Sequence, residues 1–278
     1  MDYRVSKPTD RPRLERIAER CFGDGPAYRQ LLLGQRYRPE QCLVAADHED
    51  RAVASAYLFP FTLTGAEELE AAYVYAVGVD PDYQGRQIGT RLMDFLWHTL
   101  EERGIPLAVL VPASPSLFDY YRRLGYRPFG QLGRGVPMAP PAGRPMALRR
   151  CTPQEYFTTR EGLLRDIPHG RWDQEALAYQ QAFSVLTQGN LFLLDEGVGC
   201  AVAEPYEGTL YVKELLAPPQ RLGEALAGLS QGFPGWGLEL RTRPDWAPWL
   251  GLPVQDFSMA RWAGDTPPSQ GYFALALD

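Results

Sequence analysis

The stretch Ala72–Trp97, AYVYAVGVDPDYQGRQIGTRLMDFLW, decides how the rest of the chain is interpreted. It begins with an apolar run rich in Val, Tyr and Ala, which is typical of a buried strand. Asp80 and Pro81 then indicate a turn, and from Ile88 onward the apolar residues follow helical spacing. A glycine-bearing loop that leads from a strand into a helix presents unpaired first-turn N–H groups, which together with the helix dipole favour an anion. The stretch therefore predicts a phosphate or pyrophosphate site.

Composition places the chain among ordinary packed proteins. Its 278 residues are 45% hydrophobic and 22% charged, which suits one large domain or two. The net charge of −6 argues against nucleic acid as a partner. No apolar run reaches the roughly 18 residues that a membrane span requires, and the polar first residues do not resemble a signal peptide. We therefore expect a cytoplasmic protein with no membrane partner.

Cysteine and histidine usage predicts neither a metal site nor a disulfide framework. The four cysteines are widely spaced and form no CxxC pair, and the chain has three histidines. Each cysteine is interpreted as a small buried side chain.

The order of predicted elements indicates two similar halves. A strand, a helix, two strands, a further strand, a helix and a strand occur twice, offset by roughly 140 residues, as in an internal duplication. The alternative is chance, because this order is common in α/β domains. Residues 133–146, rich in Gly and Pro, are predicted as a linker between domains 1–132 and 147–278. The chain is expected to end on an alternating strand, Tyr272–Asp278.

Three features of the first half carry a family resemblance. Gln84–Gly89, QGRQIG, is similar to a phosphate-binding loop of the form [Arg/Gln]-x-x-Gly-x-[Gly/Ala], and the short apolar strand 106–111 follows its helix. Tyr121–Tyr126, YRRLGY, is similar to a closing Tyr-x-x-Leu-Gly-Phe motif. Together these features resemble the GCN5-related N-acetyltransferase (GNAT) superfamily. The resemblance implies an α/β fold of mixed, mostly antiparallel sheets flanked by helices.

Two positions depart from the family pattern. Gln87 stands where the family has the second glycine of the loop, so its backbone must reach a phosphate without the freedom of glycine. Ser114 stands where many members have an asparagine, so one polar contact to the cofactor is expected to differ.

The resemblance implies acetyl-coenzyme A (acetyl-CoA) as acetyl donor, and the cysteine and histidine usage leads us to expect no metal. Its pyrophosphate would lie on the backbone N–H groups of the loop, and Arg86 would add positive charge near a phosphate, the alternative for Arg86 being a solvated surface side chain. The strand that ends at Val79 would separate from its neighbour and leave backbone groups of Val77 and Val79 free for the pantetheine arm. The implied cofactor-binding residues are Val77, Val79, Gln84, Gly85, Arg86, Gln87, Ile88, Gly89, Thr90 and Ser114.

The implied reaction is direct attack of a primary amine on the thioester. Tyr121 matches the position at which many members place the general acid that protonates the leaving thiolate. The alternative for Tyr121 is a core aromatic, and Tyr120 is expected to point elsewhere on the helix. A backbone N–H near Val79 would meet the developing oxyanion.

The second half resembles the degenerate GNAT-like domain of Eis-like acetyltransferases. In that class a C-terminal carboxylate reaches the active site of the first domain, so Asp278 is a candidate general base, the alternative being a frayed, solvated end. Gln220–Ala225 also matches the phosphate-loop pattern. However, Pro218 and Pro219 precede it and Glu224 would oppose an anion, so we interpret it as a relic or a coincidence.

Two functions other than acetyl transfer to an amine stay open at this point. One is a non-catalytic, acetyl-CoA-binding regulatory or scaffold protein, and the other is a transferase of a longer acyl chain. The residues identify neither the small-molecule amine acceptor nor the oligomeric state, and a homo-oligomer stays open.

Overall fold

The structure is a computed structural model that describes residues 1–277. The chain forms two compact units. The first consists of Met1–Thr62, Glu68–Pro128 and Met259–Pro268, and the second of Leu63–Glu67, Phe129–Ser258 and the segment from Ser269 onward. Each unit contains short segments that lie, by residue number, in the other predicted domain (1–132 or 147–278). The limits of the two domains stay a prediction.

The first unit is a mixed sheet with helices packed on it. The strands β1, β2 and β3 pair antiparallel, and β4 pairs parallel with β5. The elements are β1 (Asp2–Val5), α1 (Arg11–Phe22), α2 (Pro26–Leu31), β2 (Cys42–Ala46), β3 (Ala52–Leu63), β4 (Leu69–Val79), α3 (Ile88–Glu102), β5 (Leu107–Leu110) and α4 (Pro115–Arg123).

The second unit repeats this plan. Its strands β7, β9, β10 and β11 pair antiparallel in that order, and β11 pairs parallel with β12. The elements are β6 (Arg127–Gly135, in this unit from Phe129 onward), β7 (Leu148–Arg150), α5 (Pro153–Leu164), β8 (Gly170–Arg171), α6 (Gln174–Leu186), β9 (Asn190–Leu194), β10 (Gly199–Tyr206), β11 (Thr209–Leu216), α7 (Leu222–Gly232), β12 (Gly237–Thr242) and β13 (Val254–Trp262, in this unit as far as Ser258).

The two halves therefore share a strand order as well as a sequence of elements. In each, an antiparallel meander ends in a strand, a helix and a parallel strand, which are β4–α3–β5 in the first and β11–α7–β12 in the second. The predicted fold class, tandem α/β halves with mostly antiparallel sheets flanked by helices, is confirmed.

The helix α3 is the centre of the first core. Its predicted apolar stripe, Ile88, Leu92, Leu96 and Leu100, is buried throughout. This stripe packs against the small side chains of β2 and β3, which bring the helix close to the sheet. The C-terminal end of α3 is followed by Gly104, whose φ of 69° lies in the left-handed region that glycine adopts without strain.

A buried ion pair lies in the core of the second unit. The Nε of Arg160 donates to Oε2 of Glu214 at 2.8 Å, and the hydroxyl of Tyr156 donates to the same oxygen at 2.6 Å. Both charged side chains are almost wholly enclosed. The predicted capping box of α5, Thr152 with Glu155, is present at the start of the helix that carries Arg160.

The structure differs from the expected local structure in the C-terminal segment and in two additional elements. The C-terminal segment is no strand within residues 1–277, because only Tyr272 forms a β-bridge, with His169. Helix α6 and strand β13 were not predicted. Within residues 133–146, backbone N–H groups of Met138, Ala142 and Met146 donate to carbonyl oxygens of the second unit, and the role of this segment as a linker stays a prediction.

Candidate functional site

The strands β4 and β5 separate beyond their first residues. Their parallel pairing joins Ala71–Tyr73 to Leu107–Val109 and goes no further, so 74–79 has no partner on β5. Within that stretch Ala76 has a φ of 49°, a left-handed conformation that is unfavourable for a residue with a Cβ. The predicted separation of the strand that ends at Val79 is thus present, and it leaves one backbone edge of this strand open.

The loop between β4 and α3 bends back through two left-handed residues. Gly85 has a φ of 76° and Gln87, the residue that precedes α3, has a φ of 59°. Alternation of such conformations turns successive N–H groups toward one concave face, which is an anion-binding arrangement. Gly89 lies deep in the first turn, because a Cβ there would be 3.3 Å from Oη of Tyr120 and 3.4 Å from Cγ2 of Val79.

A cavity of about 170 Å³ lies at this helix start. We call it the α3 cradle, and its lining residues are Val79, Tyr83, Gln84, Gly85, Gln87, Ile88, Gly89, Thr90 and Tyr120. It therefore brings together six of the seven predicted loop residues. The unpaired N–H groups of the first turn of α3, a helix of 15 residues, make this cradle suitable for an anion.

Asp80 and Arg20 hold the loop in place. The carboxylate of Asp80, 1% exposed, accepts from the backbone N–H of Asp82 at 3.1 Å and from Nη1 of Arg20 at 2.6 Å. The same Nη1 donates to Asp82 at 2.7 Å. Because Arg20 lies on α1, the first helix fixes the turn that precedes the cradle.

The carbonyl of Val79 is not free, which corrects part of the expectation for this residue. The Nε2 of Gln84 donates to it at 3.0 Å, and the thiol of Cys21 donates to it at 3.2 Å. Burial raises the pKa of the Cys21 thiol, which keeps the donated proton in place. The predicted contact of Val79 with a pantetheine arm stays a prediction and would now rest on its N–H, while the side chain of Gln84 supports the strand end.

Arg86 and Ser114 lie outside the lining of the cradle. The guanidinium of Arg86 stacks 5.4 Å from the ring centroid of Tyr83, at the border of the cradle. Ser114 precedes α4 as predicted, but its hydroxyl lies 3.0 Å from that of Ser116 and makes no capping bond. The roles of Arg86 and Ser114 in cofactor binding stay predictions.

The two adjacent tyrosines of α4 have different surroundings. Tyr121 is 8% exposed and belongs to the core cluster, where its ring packs edge-on against Tyr120 and Tyr126. Burial raises the pKa of the Tyr121 hydroxyl well above its ordinary value, and Tyr120 adds to the rise. Tyr120 is half-buried and lines the cradle. Its exposure to the cradle was missed, because the sequence does not show how far α4 is rotated.

The candidate base Asp278 lies outside the described residues. The residues that precede it, 272–277, are all buried. Their backbone is anchored within the second unit, since Trp172 donates to the carbonyl of Leu275 at 2.9 Å and Gly170 donates to that of Tyr272 at 3.0 Å. The role of Asp278 stays a prediction.

The segment Gln220–Ala225, which carries the second phosphate-loop pattern, is covered by residues 142–146 of the same chain. The carbonyl oxygens of Gly223 and Glu224 accept N–H groups of Ala142 and Met146. The carboxylate of Glu224 lies in the first turn of α7 and pairs with Arg221 at 2.6 Å. A carboxylate at this position repels a phosphate, which favours the interpretation as a relic.

Other features of a site are absent from the described part of the chain. Among residues 1–277, no group of three or more His, Cys, Asp or Glu side chains is placed to hold a metal ion. No helix in the same range is both long and apolar enough to cross a bilayer.

Residues 2–129, which include the separated strands, the α3 cradle and α4, match the sequence model of the acetyltransferase (GNAT) domain. The first half of the chain is a GNAT domain. No curated protein sequence matches the chain. The GNAT domain thus contains every predicted cofactor-binding residue and Tyr121.

Solved structures extend the likeness beyond the GNAT domain. The chain is similar to a GCN5-related N-acetyltransferase from Anabaena variabilis, with a TM-score of 0.74 and 17% identity over 95% of this chain and 73% of that one. For one from Kribbella flavida the TM-score is 0.71, with 20% identity over 94% and 72%. For Eis1 from Mycobacterium abscessus it is 0.70, with 19% identity over 94% and 74%. These matches confirm the Eis-like arrangement of two halves at the level of the fold.

Replacing Gln87 by glycine is expected to raise the free energy of unfolding by about 0.5–1 kcal/mol. A left-handed residue with a Cβ costs roughly 1–2 kcal/mol, and the greater freedom of glycine in the unfolded chain offsets part of that gain. Urea unfolding measures the difference. Gln84→Gly in the same loop, where φ is −65°, should instead destabilise, because it relieves no strain and removes the hydrogen bond from Gln84 to the carbonyl of Val79. A loss of stability in Gln87→Gly would contradict the strain assigned to this position.

Proposed function

We propose that the chain is an acetyl-CoA-dependent N-acetyltransferase that acts on a primary amine. The observation that carries this proposal is the α3 cradle beside the open edge of β4 in a GNAT domain. The cradle suits the pyrophosphate of coenzyme A. The open backbone edge suits the amide groups of its pantetheine arm, which pair with a free strand as a further strand would.

The reaction joins the amine nitrogen to the acetyl carbon and breaks the carbon–sulfur bond. The attacking amine must be neutral, and its surplus proton leaves to a base. The leaving sulfur takes a proton from the hydroxyl of Tyr121, so the products are an N-acetyl amine and the coenzyme A thiol. The raised pKa of Tyr121 keeps this proton in place until the sulfur becomes basic. A backbone N–H near Val79 would stabilise the oxyanion.

The carboxylate of Asp278 is the proposed proton acceptor. Deletion of Asp278 is then expected to lower kcat about 100-fold, the usual size of a general-base contribution. Steady-state kinetics of the purified variant measure this effect, and circular dichroism confirms that it is folded. Asp278→Asn separates the side-chain carboxylate from the main-chain one, because it removes only the former. An unchanged kcat in the folded deletion variant would contradict the proposal.

Turnover over a panel of amines tests the proposed function. Release of the coenzyme A thiol is followed with acetyl-CoA and, in turn, a polyamine, an aminoglycoside, an arylalkylamine and a lysine peptide. Amine-dependent release supports N-acetyl transfer. Binding of acetyl-CoA without release for any amine would favour a regulatory or scaffold protein, and faster release from butyryl-CoA would favour a transferase of longer acyl chains.

A further inference from the structure

The hydroxyl of Tyr120 lies at the start of α3. It is 3.3 Å from the position that a Cβ would take on Gly89, and the side chain lines the α3 cradle. The absence of a side chain at Gly89 is what allows this close approach. The hydroxyl therefore lies beside the unpaired N–H groups of the first turn, where an anion would bind.

The surrounding core fixes the ring of Tyr120. Its centroid is 5.1 Å from that of Tyr121 in an edge-on arrangement, and Tyr121 is itself held in the core cluster. Because successive residues of a helix point about 100° apart, only one of the two tyrosines faces the cradle. The side chain of Tyr120 is thus held in place before any ligand binds.

The other tyrosine of the cradle, Tyr83, has its hydroxyl engaged elsewhere. It donates to Oδ2 of Asp47 at 3.1 Å, and its ring packs beneath the guanidinium of Arg86. Tyr120 is consequently the tyrosine whose hydroxyl lies at the helix start. A phenol O–H donates a short hydrogen bond to a phosphate oxygen, and such a charge-assisted bond is stronger than a neutral one.

We propose that Tyr120 determines donor specificity by donating a hydrogen bond to the diphosphate of coenzyme A. This inference rests on the proposed function, since it assigns a ligand to the same cradle. The site then distinguishes acetyl-CoA from acetyl carriers that end at pantetheine and lack the diphosphate. Tyr120 is in this proposal a binding residue, and its role is separate from the acid role proposed for Tyr121.

Tyr120→Phe tests this assignment with two donors. The variant is expected to raise the KM for acetyl-CoA about tenfold, the usual effect of losing one bond to a charged group, while kcat is unchanged. The KM for S-acetylpantetheine, which has no phosphate, is expected to stay as in the unsubstituted protein. Calorimetric titration with coenzyme A and with pantetheine gives the same comparison without turnover, so the inference is tested even if no amine is acetylated.

Tyr126→Phe is the matched control. The hydroxyl of Tyr126 is buried away from the cradle and has no hydrogen-bond partner among residues 1–277, so its loss should change neither KM. An equal rise of KM for both donors in Tyr120→Phe would overturn the inference, because it would indicate a packing effect. An unchanged affinity for coenzyme A would overturn it as well. If the unsubstituted protein binds coenzyme A but acetylates no amine, that result would count against the proposed function alone.

Discussion

Replacing Tyr121 by phenylalanine is expected to lower kcat at least about 100-fold with little change in the affinity for acetyl-CoA. The substitution keeps the ring that packs between Tyr120 and Tyr126 and removes the proton proposed for the leaving sulfur. Since proton donation acts in the transition state, kcat and kcat/KM should fall together. Steady-state kinetics with a turned-over amine measure both quantities.

The raised pKa of Tyr121 also predicts how kcat depends on pH. Because burial raises the pKa of Tyr121, its acid form persists as the pH rises through and beyond the ordinary range of a tyrosine. Deprotonation of Tyr121 should therefore cause no loss of kcat between about pH 7 and about pH 10. Tyr126→Phe, which removes a neighbouring buried hydroxyl, should turn over normally. A normal rate in Tyr121→Phe would remove Tyr121 from the acid role.

Replacing Gly89 by valine is expected to weaken coenzyme A binding about 100-fold, because the side chain would block the cradle and remove phosphate bonds to the first turn. A Cβ at this position already lies 3.3 Å from Tyr120 and 3.4 Å from Val79. The methyl groups beyond it must therefore displace these side chains or enter the cradle. Calorimetric titration with coenzyme A measures the loss.

Gly162→Val is the matched control for this substitution. Gly162 is an exposed residue within α5, and a Cβ there would meet nothing within 4 Å. The control makes the same change in a helix of the second unit and should bind coenzyme A as the unsubstituted protein does. Equal affinity in Gly89→Val and Gly162→Val would show that the α3 cradle is not the phosphate site.

The stretch Ala72–Trp97 could be interpreted from sequence because its signals are local. The apolar run, the turn at Asp80 and the helical stripe from Ile88 each lie within a few residues of the element they specify. The strand, the loop and the helix were found where these signals indicated. The same is true of α5, whose capping box is contained in four consecutive residues.

The C-terminal segment shows why other predictions were wrong. Its alternating apolar pattern reflects burial, and residues 272–277 are indeed buried. Their backbone groups, however, form single hydrogen bonds with the backbone of Pro168 and Gly170 and with the side chains of Trp172 and Arg241, and among residues 272–277 only Tyr272 forms a β-bridge. Apolar spacing reports what is enclosed, and it does not report which groups pair with the backbone.

Long-range contacts also decide the details of the site. The thiol that donates a hydrogen bond to the carbonyl of Val79 belongs to Cys21, 58 residues earlier in the chain. The approach of Tyr120 to Gly89 depends on how two helices pack, which no local pattern specifies. Strand β13 was missed for the same reason, since Met259–Trp262 pairs with β5, far away in the sequence.

Equilibrium titration of the unsubstituted chain with coenzyme A tests the central claim most directly. The open cradle at α3 and the covered helix start at α7 predict saturable binding of one coenzyme A per chain. Addition of pantetheine should give weaker binding, since it lacks the diphosphate proposed to bind in the cradle. Absence of binding would contradict the account, and so would two coenzyme A molecules per chain.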